Sequence, residues 1–138
     1  MIELTRRYEL PAAHVLASPA LSEEENRRIF GRCANPGGHG HNYWVEVTLT
    51  GPVDEVTGEI IPLDLLDEIF DTSIRSRYGH RMLNELERYA LRVPTAENIV
   101  KDVYGELAPE FERRSGARLL RVKLTETPNN RADYGEEE

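Results

Sequence analysis

A single cysteine stands in the 138-residue chain. That excludes an internal disulfide framework and leaves stability to a packed core. One tryptophan and three phenylalanines mean that this core is chiefly aliphatic. No apolar run approaches the roughly 20 residues needed to cross a bilayer, and the opening Met1-Ile2-Glu3-Leu4-Thr5-Arg6-Arg7 has no secretory leader's apolar stretch. A cytoplasmic, reducing setting is the expectation, with no membrane partner. Basic residues are outnumbered, 17 Lys and Arg against 25 Asp and Glu, for a net charge of −8. They are scattered, so the clustered basic surface of a nucleic-acid binder is missing. A small anionic ligand stays open, because a local group of arginines can act inside an acidic protein.

What is present concentrates in Cys33-Ala34-Asn35-Pro36-Gly37-Gly38-His39-Gly40-His41-Asn42-Tyr43, which holds the only cysteine and two of the four histidines. Its second half runs into Tyr43-Trp44-Val45-Glu46-Val47-Thr48-Leu49, whose alternation has the period of a half-buried strand. Side chains two apart on a strand share a face, so His39 and His41 present paired imidazoles, two thirds of a three-histidine zinc site. Ile2, Leu4, Tyr8, Leu10, Ala12 and His14 share one parity in a first strand expected over about 2–14, with Arg6 the polar exception. His14, at the end of that face, is either a hydrogen-bonded core histidine or the third ligand.

Ser22 with Glu25 forms a capping box that opens a short helix, which Gly31 closes. After a strand over about 41–50, the brief apolar run Ile60-Ile61 is taken as a further short strand. Leu65, Leu66, Ile69 and Phe70 are spaced for one face of a helix over about 63–77. Thr95 caps a second long helix over about 95–114, where Pro109 is expected to kink or shorten it. The last strand, about 117–127, places Leu120, Val122, Leu124 and Glu126 on one face. The final Gly135-Glu136-Glu137-Glu138 reads as a frayed tail. Two long helices cover only one face of a small, mostly antiparallel sheet, giving a single α+β domain over 1–138. The other face, with Trp44, is expected to need cover from a partner chain.

Three histidines with an open fourth position describe a catalytic rather than a structural zinc site. Zinc polarises a hydroxyl or carbonyl and acidifies its neighbours. Cys33 near a cation is a candidate base or fourth ligand. His80 is a candidate general acid or base, and Glu126 a bidentate acceptor for N–H donors.

Taken together, Ala12-Ala13-His14, the Leu21 to Asn26 segment, Phe30 to Pro36, Gly38-His39-Gly40-His41-Asn42-Tyr43, Thr95-Ala96-Glu97-Asn98 and Thr125-Glu126-Thr127 resemble the 6-pyruvoyl-tetrahydropterin synthases and their 6-carboxy-tetrahydropterin synthase relatives. The five residues between Cys33 and His39 look more like the pyruvoyl type. The resemblance implies a tunnelling fold: trimers whose sheets close into a barrel, stacked as a hexamer, with active sites between subunits. It implies zinc held by His14, His39 and His41, and 7,8-dihydroneopterin triphosphate as substrate. Cys33 would be the base, His80 its proton-relay partner, and Glu126 the anchor of the pterin ring with Thr95 nearby. One departure stands out. The family's usual aspartate before the relay histidine is here Gly79, which cannot orient an imidazole. Besides triphosphate elimination to 6-pyruvoyl-tetrahydropterin, the readings kept open are the carboxy outcome, on the route to queuosine-type deazapurines with acetaldehyde released, and a catalytically weak pterin binder. A zinc hydrolase ranks last, since it leaves Cys33 and Glu126 unused.

Overall fold

The computed structural model describes residues 1–136. Four antiparallel strands form one sheet in the order β1-β2-β3-β4: Glu3–His14, His39–Thr50, Arg118–Thr127 and Asn130–Gly135. The first two are long because their alternation continues unbroken. Tyr8, Leu10, Ala12 and His14 are buried on β1 while Arg7 and Glu9 face outward. The polar exception, Arg6, is explained by a neighbour. Its guanidinium makes a bidentate pair with Asp67 at 3.0 Å for both N–H bonds, and the Tyr8 hydroxyl donates to the same carboxylate at 2.7 Å.

The helices lie on one face, as the sequence implies. α1 (Glu23–Phe30) has the full capping box, with Ser22 Oγ accepting from Glu25 N and Glu25 reaching back to Ser22 N. α2 (Leu63–Phe70) continues through a π-helical turn, Asp71–Arg75, into the short α3, Ser76–Tyr78. Phe70 stacks on Tyr8 with ring centroids 4.0 Å apart, which seats α2 over β1. α4 (Ala96–Arg114) buries Ile99, Val100, Val103, Leu107 and Phe111 against the sheet. It runs through Pro109 to Arg114 without stopping.

Four expectations change. The third strand in sequence is not Ile60-Ile61, which lies in a bend with Ile61 buried in the core. The fourth strand comes instead from Asn130–Gly135, where polar residues hide the period. Gly135 and Glu136 are not a frayed tail, since Glu136 N donates to Leu120 O at 2.8 Å; Glu137 and Glu138 lie outside the described residues. Within β3 the parity breaks. Val47 faces Val122, yet Leu49 faces Leu119, so the register slips at Thr48/Leu49; Leu119 joins the main core cluster, and the extra residue, Leu120, is buried outside it. Such a bulge places one extra residue in a strand and reverses the faces beyond it. Finally, the face bearing Trp44 is polar and internally paired. Arg7 sits over the indole at 3.9 Å, Thr5 and Thr48 hydroxyls meet at 2.8 Å, and Arg121 reaches Glu3 at 2.8 Å. Exposed apolar surface is therefore no reason for this face to be covered.

Candidate metal centre

The register of β1 against β2 builds the site. His14 lies opposite His39 and Ala12 opposite His41, so three imidazoles of two strands gather on the helix-side face at one end of the sheet. Ring centroids are 4.5, 5.0 and 4.8 Å apart, at interplanar angles of 65°, 89° and 90°. One ring nitrogen from each falls within 4.8 Å of the others. His14 Nε2 and His39 Nε2 approach to 2.9 Å. A tetrahedral zinc with Zn–N bonds near 2.05 Å sets its ligand nitrogens about 3.3 Å apart.

His14 is fully buried, and its Nδ1 lies 2.7 Å from Pro94 O and 3.2 Å from the Tyr43 hydroxyl. A carbonyl only accepts, so Nδ1 carries the proton and Nε2 presents its lone pair to the other two rings. Burial pushes His14 and His41 below the ordinary imidazole range, which keeps both neutral, the form a metal binds. His41 Nε2 is buried without a hydrogen-bond partner, with Glu126 Oε1 3.8 Å away. A buried polar atom left unpaired is costly. A cation placed among the three nitrogens would satisfy it, so the donor set fits a zinc-type ion.

The remaining site residues fall around this centre unevenly. Glu126 joins it at the end of β3. Thr95 stands next to Pro94 and caps α4, accepting from Asn98 N at 3.2 Å. Cys33 sits half-buried in the 3-10 turn Gly31–Ala34, its carbonyl accepting from Leu16 N at 2.7 Å; its sulfur is not among the grouped ligand atoms. The expected option of a fourth ligand is therefore not seen. His80 is exposed, with φ 56°, in a segment that runs beside β1: its N–H donates to Pro11 O at 2.6 Å and Ala13 N–H to Arg81 O at 2.8 Å. It shares the wall of a 420 Å³ cavity with His41, Asn42 and Arg81, and Cys33 is not on that wall. No ion pair joins His80 to a carboxylate among the described residues, so none of these takes the part of the aspartate that the resemblance leads one to expect at Gly79. A Cβ on Gly79 would meet Arg75 O at 2.7 Å. The glycine is thus part of how this helix ends.

The family model described as 6-pyruvoyl tetrahydropterin synthase matches residues 3–137. The chain belongs to this family. The 6-pyruvoyl tetrahydrobiopterin synthase of Drosophila melanogaster is 39% identical over 132 residues, covering 95% of this chain and 77% of that protein. The solved 6-pyruvoyl tetrahydropterin synthase of Caenorhabditis elegans superposes with a TM-score of 0.87 at 32% identity, over 99% of this chain and 96% of the other. A 6-carboxy-5,6,7,8-tetrahydropterin synthase of Rickettsia bellii is more distant, at 28% identity over 148 residues, covering 94% of this chain and 96% of that one.

For this family member, sequence reasoning missed two groups that touch His14: the Pro94 carbonyl and the Tyr43 hydroxyl. Tyr43 did carry a signal, since it shares the parity of His39 and His41. A backbone carbonyl 80 residues from His14 carried none. No helix among the described residues is long and apolar enough to cross a membrane.

Proposed function

We propose that this chain is a zinc-dependent lyase of pterin metabolism. Its substrate is 7,8-dihydroneopterin triphosphate, from which it eliminates triphosphate to give 6-pyruvoyl-tetrahydropterin. The carrying observation is the buried, partnerless His41 Nε2 facing two other imidazoles in a member of this family. His14, His39 and His41 hold the ion. Bound zinc supplies a Lewis acid that polarises the substrate's side-chain hydroxyl and acidifies the adjoining C–H. Cys33, as thiolate, takes that carbon-bound proton. His80 relays protons between sulfur, substrate and water. Glu126 accepts N–H donors of the pterin through both oxygens, and Thr95 closes the same end of the site. The reaction balances internally: the alcohol carbon next to the ring becomes a carbonyl and its two hydrogens pass to the ring, reducing dihydropterin to tetrahydropterin, while the second alcohol carbon loses its C–H proton as the C–O bond to triphosphate breaks, and the resulting enol takes a proton on its terminal carbon to become a methyl ketone. No outside oxidant or reductant enters.

Cys33 and His80 share neither a hydrogen bond nor a cavity wall within one chain. This supports the reading that the relay assembles between copies, in trimers paired into a hexamer. β1 and β4 are the two edge strands among the described residues, and open edges are where further copies can pair. The expected setting is the cytoplasm.

The test is turnover of 7,8-dihydroneopterin triphosphate by zinc-loaded protein, read by mass spectrometry. 6-Pyruvoyl-tetrahydropterin with free triphosphate is the expected outcome; an untouched substrate overturns the assignment. The stronger match to pyruvoyl-type relatives supports this product over the carboxy product with acetaldehyde. A pterin binder with little turnover is the second reading, favoured by the missing carboxylate beside His80. Tight pterin binding without product would establish it.

A further inference from the structure

We infer that the Pro94 carbonyl fixes the tautomer of His14 and that the Tyr43 hydroxyl joins it in fixing the ring's orientation, making Tyr43 a positioning residue for the metal centre. The inference rests on the zinc reading of the three histidines and adds to it a group outside the ligand set.

His14 Nδ1 meets two oxygens at once, Pro94 O at 2.7 Å and Tyr43 Oη at 3.2 Å. Its single proton goes to the shorter contact, and the phenol oxygen takes the weaker branch. If the proton sat on Nε2 instead, Nδ1 and the Pro94 carbonyl would be two acceptors pressed together at hydrogen-bond distance. The Pro94 carbonyl therefore excludes that tautomer and leaves Nε2 bare, and the phenol, which can donate or accept, conforms to it. The second contact constrains what the first does not. One acceptor leaves the ring free to swing about the line of that bond; a second, from another strand, removes the swing.

Tyr43 is suited to this. It is 1% exposed, and its ring stands at 88° to His14, with centroids 6.1 Å apart. It follows His41 by two residues on β2, so the strand that supplies two ligands also braces the third. The carbonyl is equally well held. Thr95 N–H donates back to Val93 O at 2.8 Å, and Thr95 caps α4, so the start of that helix fixes Pro94 O. Outer partners of this kind typically contribute 10–100-fold to metal affinity.

The test uses the full chain and zinc alone. Competition titration against a chelator measures zinc affinity of the unaltered protein and of Tyr43→Phe, which keeps the ring and removes only the oxygen. We expect about a tenfold loss of affinity, with an unchanged melting temperature for the metal-free proteins. Cobalt substitution should show an altered visible d–d spectrum in the variant. Independently, ¹⁵N NMR of the imidazoles should show His14 in the Nδ1–H form, before and after zinc. An Nε2–H tautomer overturns the inference whether or not the variant folds. Equal zinc affinity in both proteins overturns it while leaving the zinc reading intact. No specific zinc binding by the unaltered protein overturns both.

Discussion

The three histidines and the pair Cys33 and His80 are held in different ways. The histidines ride on two paired strands, where cross-strand register places His14 opposite His39 and one pleat separates His39 from His41. Cys33 sits in a 3-10 turn and His80 at a left-handed φ of 56°, on separate loops, and Cys33 is not on the cavity wall that His80 lines. Metal geometry tolerates errors of a few tenths of an ångström, and a sheet supplies that precision by itself. A proton relay needs its groups together only when substrate is bound, so its parts can be brought by separate elements or separate copies. The contrast teaches that one chain assembles the three-histidine cluster by itself, whereas the proposed relay is left open.

The largest effect should come from the strands. His14→Ala or His39→Ala is expected to lower zinc affinity more than about 100-fold, beyond what an outer partner contributes. Elemental analysis after dialysis reads this, and retained stoichiometric zinc in either variant breaks the contrast. Cys33→Ala should keep its zinc and lose elimination by about 100-fold or more, the contribution of a general base. Zinc content and turnover measured on the same sample decide it, and full turnover would remove Cys33 from the chemistry.

Gly79→Asp sharpens the loop side. By resemblance it restores an orienter; by packing it drives a Cβ to 2.7 Å from Arg75 O. The expected result is a loss of about 1–3 kcal/mol of stability without a gain in turnover, seen as a lower denaturant midpoint. Higher turnover with an unchanged midpoint would show that the helix end yields easily.

The smallest effect is remote from both regions. The Arg6 guanidinium, chiefly through its hydrogen bonds, holds the Asp67 carboxyl below the usual carboxylate range, against a smaller opposing effect of burial. A folded-state pKa below the unfolded value of about 3.9 gives stability that is present above that pH and lost as pH falls toward the folded value. The pair is about a third exposed, so solvent screening limits it to about 1 kcal/mol or less. Asp67→Asn should flatten the acid limb of a melting-temperature profile below about pH 4 and leave zinc affinity unmoved.

Much of this was legible in advance, and the exceptions have physical causes. β1, β2, α1 and α4 show clean periods or caps, because each has one buried and one wet face. Asn130–Gly135 was not legible: an edge strand of polar residues has no buried face to impose alternation. The entry of Leu119 into the main core cluster was hidden too, since a bulge is a property of two paired strands, and neither sequence contains it alone. The polar pairs on the far face of the sheet were not legible from Trp44, because Arg7 lies over the indole from a different strand.

By itself the sequence picked out the candidate residues that the structure gathers at one end of the sheet: three histidines of matching parity and one carboxylate at a strand end. It could do so because strand period is local and converts spacing directly into a shared face. Only the tertiary structure decided that Pro94 O and the Tyr43 hydroxyl both meet His14 Nδ1, that no carboxylate among the described residues pairs with His80, and that Cys33 is not on the cavity wall that His80 shares with His41. Those facts depend on contacts between segments far apart in the chain, and packing alone sets such distances.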